Sequence, residues 1–248
     1  MEQKFNLPTE TVDLPSKGLL YPKDSPLSEG KVEMKYMTAK EEDILSNINY
    51  IKQGTVLDRL LESLIVTPIK YGDLLSGDKN AIMIAARILS YGKDYEVEYK
   101  GEKVNVDLSS FQHKEINEAE YTKGQNNFSF TLPTTGNLVT FKILTHDDEK
   151  AIEQEVKGLQ KIHKDNLAGV TTRLKRMITS VNGNTDVKDI REFVDKYLLA
   201  KDARALREEY SRVSPDIEMK FKFSDEDGNE EDVDLPIGLD FFWPDAGR

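Results

Sequence analysis

Cysteine and histidine, two residue types that often carry out chemistry in proteins, are scarce in this sequence. The chain has no cysteine, which excludes disulfides, thiolate nucleophiles, zinc–thiolate sites and iron–sulfur clusters. Its three histidines are His113, His146 and His163, and no two of them stand four residues apart as in a helical zinc site. His163 and Asp165 resemble a fragment of a metal or acid–base site, but we favour a pair of exposed polar residues at a helix end.

An acidic run at 225–232 raises the question of calcium binding. An EF-hand loop has glycine at its sixth position, so Gly228 would place Phe223 at the first, where phenylalanine cannot ligate. We therefore expect a solvated hairpin tip. The phosphate-binding patterns GxxxxGK[ST] and GxGxxG and the nucleophile pattern GxSxG are also missing.

These residues assign no catalytic group, no metal ligand and no cofactor, and we expect a protein that is not an enzyme. The alternative is a hydrolytic enzyme whose carboxylates are brought together by the fold, because such pairs leave no local motif. Two close acids with shifted pKa values in a cleft would favour that alternative.

Composition narrows the class of partner. The 248 residues carry a formal net charge of −11, and such a chain repels phosphate backbones, so nucleic acid is not expected as a partner. We interpret the basic residues Arg173, Lys175 and Arg176 as the solvated face of a helix. No run approaches the ~20 apolar residues of a membrane span, and the N-terminus does not resemble a secretory signal. We expect neither membrane insertion nor secretion, but residence in a cytosol.

Residues 1–37 predict an extended arm followed by a short strand. Prolines restrict the arm to extended conformations, with a turn expected near Lys17 and Gly18. The arm can lie along its own domain, which we favour, or along a partner subunit. Its apolar contact residues are Leu19, Leu20 and Tyr21.

Helical periodicity marks two units, 38–92 and 146–213, which we expect to pack together because each alone would expose its apolar stripe. Thr38 and Glu41 form a capping-box pair that predicts a helix through about Lys52. Another helix is predicted over about 166–181.

Alternating patterns predict β-hairpins in a unit at 93–145 and in 214–248, where the hairpin leads to an aromatic C-terminal tail. The tail folds back onto the hairpins, which we favour for at least two of its aromatics, or docks into another subunit. These aromatics are Phe241, Phe242 and Trp243. The predicted fold class is α+β: a mainly helical body with two or three β-hairpins forming a small β unit, and an extended N-terminal arm.

Four segments resemble baseplate hub subunits and hub assembly proteins of T-even-type contractile-tail phages. They are LPSKGLLYP at 14–22, MTAKEEDIL at 37–45, FSFTLP at 128–133 and FFWP at 241–244. The resemblance implies a protein that helps to build the central hub of the baseplate through protein–protein contacts. Some relatives carry cysteine pairs in the hairpin regions, as in a zinc ribbon, but this chain has none, so no metal is expected.

The resemblance also implies where the protein acts and what it binds. Its partners would be other phage baseplate hub proteins, with no small-molecule substrate, in the host cytoplasm during infection or in the virion baseplate. The sequence leaves open whether the chain stays in the finished particle, which hub protein it contacts and its oligomeric state. The residues we assign to partner binding are Leu19, Leu20, Tyr21, Phe241, Phe242 and Trp243.

Overall fold

Helices alternate with small antiparallel sheets along the chain. The computed structural model describes residues 7–162, 169–224 and 228–242. In these ranges the helices are α1 Ala39–Leu45, α2 Ile48–Gln53, α3 Val56–Leu64, α4 Ser76–Tyr91, α5 His146–Ile162, α6 Gly169–Met177, α7 Val187–Lys196 and α8 Ala200–Val213. The strands are β1 Thr9–Asp13, β2 Lys31–Lys35, β3 Asp94–Tyr99, β4 Glu102–Asp107, β5 Phe128–Thr131, β6 Leu138–Phe141, β7 Ile178–Val181, β8 Lys220–Ser224 and β9 Glu230–Asp234.

The strands form four separate antiparallel sheets, with orders β1-β2, β3-β4, β5-β6-β7 and β8-β9. The predicted α+β class with small β-hairpins is confirmed. The β3–β4 and β8–β9 hairpins pack together through aromatic rings. The ring centroid of Tyr99 on β3 lies 5.0 Å from that of Phe223 and 6.2 Å from that of Phe221, both on β8. These two hairpins share one aromatic interface.

The N-terminal segment is extended in Thr9–Asp13, and this strand pairs with Lys31–Lys35, a pairing that the sequence did not predict. The predicted turn is confirmed: Lys17 and Gly18 have φ values of 50° and 74°. A Cβ on Gly18 would lie 2.4 Å from the carbonyl oxygen of Ser28, so the turn requires glycine for space as well as for conformation.

The helix predicted from Thr38 to about Lys52 is wrong in its length. Its start is confirmed, since Oε2 of Glu41 accepts hydrogen bonds from the backbone N–H and the hydroxyl of Thr38, at 2.9 and 2.6 Å. The chain then breaks, and α2 begins anew because Oδ1 of Asn47 accepts from the N–H groups of Asn49 and Tyr50.

The helix predicted over about 166–181 is wrong at its C-terminal end. The helix stops at Met177, and Ile178–Val181 forms strand β7 against β6. Ile178 and Ser180 are buried in alternation, and the hydroxyl of Thr140 lies 2.6 Å from that of Ser180. Pairing with the edge of β6 therefore makes residues 178–181 extended, although their sequence pattern predicted a helix. Residues 163–168, which include His163 and Asp165, lie outside the described residues.

The helices before and after the central hairpins meet at a short backbone junction. Leu75 and Thr145 form a β-bridge, and the N–H of His146 donates to the carbonyl of Leu74 at 2.7 Å. This junction fixes the start of α5 beside the start of α4. No helix in the described ranges is both long enough and apolar enough to cross a lipid bilayer.

Candidate functional site

The arm residues assigned to partner binding lie against the chain's own body. Leu20 and Tyr21 are 2% and 3% exposed, and Leu19 is half-buried. The hydroxyl of Tyr21 donates to Oδ2 of Asp78 at 2.6 Å and accepts from the N–H of Leu75 at 2.9 Å. The favoured interpretation of the arm, that it covers its own domain, agrees with these contacts.

Asp78 is the carboxylate that holds the arm. It is fully buried and also accepts from the N–H and the hydroxyl of Ser16, at 2.9 and 2.6 Å. Burial raises the pKa of Asp78, against the hydrogen bonds from Ser16 and Tyr21, which lower it. Its perturbed pKa would suit an acid catalyst. Because the arm covers it, a substrate has no access to it, and its role is structural.

The aromatic tail also folds back. Phe241 and Phe242 are fully buried, and the ring of Phe241 packs edge-on against Tyr95 of β3 at 5.0 Å. Trp243 lies outside the described residues. Partner binding by the buried arm and tail residues therefore stays a prediction, and it requires these segments to leave the body that they now complete.

A polar cluster at the start of α5 has the residue types of a catalytic site. Nζ of Lys79 donates to Oδ1 of Asp58 at 2.7 Å and lies 3.2 Å from Nδ1 of His146. Because an ammonium group only donates, Nδ1 must be the acceptor, which leaves the proton of the neutral imidazole on Nε2. Nε2 lies 3.2 Å from Oδ2 of Asp58 but is poorly aligned for a hydrogen bond.

The carboxylate of this cluster is paired with its neighbours. Burial raises the pKa of Asp58, but the contacts with His146 and Lys79 outweigh it and hold that pKa below its ordinary value. Asp58 is therefore ionised and is not a proton donor. Across the residues that the structure describes, no group of three or more histidine and acidic side chains is arranged to hold a metal ion.

Next to this cluster, a cleft of about 660 Å³ separates the α2–α3 turn from α5. Ile51 and Leu57 line one side, Gln154 of α5 lines the other, and Leu239 contributes from the segment that leads into the aromatic tail. The cleft is open to solvent, and its lining is mixed, because the polar cluster and charged side chains of α5 line it together with these apolar residues.

Helix α2 presents an uncovered apolar surface beside the cleft. Ile48 and Ile51, which we call the α2 face, are 65% and 38% exposed, and no residue of α2 is buried. In the sequence, both isoleucines stand at helical spacing from Ile44 and Leu45. The break at Asn47 turned them outward. The Ser46-Asn47 pair, a common helix-start signal, was the available clue.

The basic residues on α6 are held by the chain's own acids. Lys175 pairs with Asp195 at 2.6 Å and Arg176 with Asp148 at 2.9 Å, and Arg173 makes a two-point contact with Glu149. Their charges are compensated locally, so they form no open basic patch.

Comparison with known proteins identifies the family. The family model described as T4 bacteriophage base plate protein matches residues 8–243, which include the arm, the α2 face and the start of the tail. Neither the curated proteins nor the solved structures give a match. Since the family model covers most of the chain, this protein belongs to the family of the T4 bacteriophage base plate protein.

Proposed function

We propose that this baseplate protein is a structural or assembly component of the central hub, which acts through contacts with other baseplate hub proteins and catalyses no reaction. The family match over residues 8–243 carries the proposal. The protein would be made in the host cytoplasm during infection and delivered to the growing baseplate, with no small-molecule substrate and no nucleic acid as partner.

The α2 face is the docking surface that we assign to this function. Complete burial of a fully exposed isoleucine is worth about 1.5–3 kcal/mol. Ile48 and Ile51 are 65% and 38% exposed, so a partner that covers them would gain a corresponding fraction of that free energy from each. The cleft beside Ile51 offers room for a side chain of the partner. We infer that the α2 face receives an apolar residue of another baseplate protein, since Ile48 and Ile51 are exposed and Leu57 continues the apolar surface into the cleft.

The polar groups support the non-enzymatic interpretation. A hydrolase built on carboxylates needs one acid that holds a proton and is reachable by substrate. Asp78 has a raised pKa but is sealed under the arm, whereas Asp58 faces the cleft but is ionised and paired with Lys79. Neither residue meets both conditions.

Two single substitutions test the docking surface with a close match between variant and control. Ile48 and Val187 are both the first residue of a helix, each follows a side-chain N-cap, and they are 65% and 66% exposed. Tagged chains carrying Ile48→Ser or Val187→Ser would be purified from infected cells, and the baseplate proteins that accompany them measured by quantitative mass spectrometry.

We expect the unmodified chain and Val187→Ser to recover baseplate hub proteins in the same ratios, and Ile48→Ser to lose most of one of them. Equal recovery by all three would remove the α2 face as the docking surface. Recovery of no baseplate protein by a folded, unmodified chain would overturn the proposed function itself.

A further inference from the structure

A second groove lies where α5, α6 and α8 meet. It has a volume of about 440 Å³. We call it the α6 groove, and its apolar lining consists of Ile152, Val170, Leu174 and Met177, with Arg173 and Arg207 as its charged residues.

The apolar lining is partly accessible. Val170 is 49% exposed, whereas Leu174 and Met177 are buried beneath it at 2% and 1%. An exposed valine above buried apolar side chains resembles the edge of a core that a further side chain could extend. The apolar part of the groove therefore suits an aliphatic or aromatic residue.

The charge of the groove is one-sided. The described residues that line it include two arginines and no carboxylate. The charge of Arg173 is neutralised by Glu149, whose two carboxylate oxygens accept hydrogen bonds from both terminal nitrogens of the guanidinium. Arg207 donates Nε to the carbonyl of Ala203 on its own helix at 3.3 Å, and it has no ion pair with a carboxylate in the described parts of the chain. Among the described residues, Arg207 is thus a cation without a carboxylate partner, beside an apolar groove and in a chain of net charge −11.

From this combination we infer that the α6 groove binds an acidic, apolar segment of another baseplate protein, with an apolar side chain in the groove and a neighbouring aspartate or glutamate paired with Arg207. A guanidinium pairs with a carboxylate in a two-point geometry, so it selects for acid as well as attracting it. The inference rests on the proposed function for the source of the segment, but it concerns a surface separate from the α2 face.

The test places a photo-crosslinker, p-benzoylphenylalanine, at Val170 of the tagged full-length chain in infected cells. Illumination would be followed by sequencing of the cross-linked peptides. The crosslinking chain would also carry Arg207→Glu or, as a control, Arg204→Glu. Arg204 lies one turn away on α8, is exposed and pairs with Glu208, outside the groove. Circular dichroism would verify that each chain is folded.

We expect cross-links to a segment of another baseplate protein that has an acidic residue within about one helical turn of the cross-linked position. Arg207→Glu should lower the yield about fivefold, because an attractive pair becomes a repulsive one, and Arg204→Glu should leave it unchanged. If the Ile48→Ser experiment succeeds while these expectations fail, the hub function stands and only the groove assignment is lost.

Other outcomes would overturn the inference. They are cross-links to a second copy of this chain, to residues 163–168 of the same chain or to a segment without acidic residues, the absence of any cross-link, and a yield that does not respond to Arg207→Glu.

Discussion

At the scale of single residues, a few buried polar and aromatic groups fasten the two ends of the chain. Asp78 accepts three hydrogen bonds from the arm, and Phe241 and Phe242 insert the tail into the core. The same aromatic and apolar types are typical of interface anchors, so their type alone does not separate core from interface. Burial separates them, and burial depends on the whole fold.

Tyr21→Phe tests the arm anchor. The substitution keeps the ring but removes the hydroxyl, which leaves Asp78 without one donor and the N–H of Leu75 without its acceptor. We expect the free energy of unfolding to fall by about 1–3 kcal/mol in urea titrations. Tyr36→Phe, which removes an exposed contact with Glu10, should cost much less. Equal effects of the two substitutions would contradict the anchoring role.

Phe242→Ala tests whether the tail is part of the core. A fully buried phenylalanine replaced by alanine typically costs about 3–5 kcal/mol, and we expect a loss in this range by chemical denaturation. Tyr197→Ala, at a position that is 59% exposed, serves as the control and should change stability little. A stable Phe242→Ala protein that fails to bind partners would instead support the tail as a docking element.

At the scale of secondary-structure elements, local sequence signals predicted where a helix starts better than how long it is. The α1 start at Thr38 follows from a side-chain cap that a few residues encode. Strand β7 could not be predicted, because Ile178–Val181 is extended only through its pairing with β6, almost 40 residues earlier in the sequence. The exposure of Ile48 and Ile51 on α2 was not predicted for a related reason. Their spacing from Ile44 and Leu45 is that of one apolar helix face, and the break at Asn47 interrupts it.

The packing of α4 gives a prediction that uses two helical glycines. A Cβ on Gly77 would lie 1.9 Å from the carbonyl oxygen of Pro215, whereas a Cβ on Gly158 of α5 would meet nothing within 4 Å. Gly77→Ala should destabilise the protein by about 1–3 kcal/mol through overpacking, and Gly158→Ala should stabilise it by about 0.5–1 kcal/mol. Thermal and urea unfolding of both variants would measure this, and the same sign for both would refute the packing argument.

The start of α1 gives a prediction that depends on pH. Burial raises the pKa of Glu41, but hydrogen bonds from Lys35 and Thr38 outweigh it and lower the pKa to about 2 from 4.5. Since the folded pKa is depressed, the stabilisation is complete above about pH 4.5 and is lost as the pH falls towards 2. Glu41→Gln should therefore cost about 1–3 kcal/mol at pH 7, and the difference from the unmodified protein should shrink between pH 4.5 and pH 3.

Urea titrations at pH 7, 4.5 and 3 would provide this comparison. Glu42→Gln, at the next and exposed position of α1, is the matched control and should have little effect at any of these values. A cost of Glu41→Gln that stays constant down to pH 3 would show that the depressed pKa does not contribute to stability.

At the scale of the whole molecule, the chain combines small sheets and short helices around a shared core. Its exposed apolar side chains include those of the α2 face and of the α6 groove. Its polar clusters are paired internally, and its perturbed carboxylate Asp78 is sealed. Such a distribution suits a protein that is assembled with others rather than one that turns over a substrate. The sequence predicted a baseplate protein through the resemblance, whereas the docking surfaces that we propose depend on the three-dimensional arrangement.

The most direct test of the central claim is electron microscopy of particles from an infection in which the phage lacks this gene. We predict that complete baseplates are absent while heads still form, and that a plasmid copy of the unmodified chain restores baseplates but an Ile48→Ser copy does not. Normal tails with complete baseplates in the absence of the gene would contradict a role in building the hub.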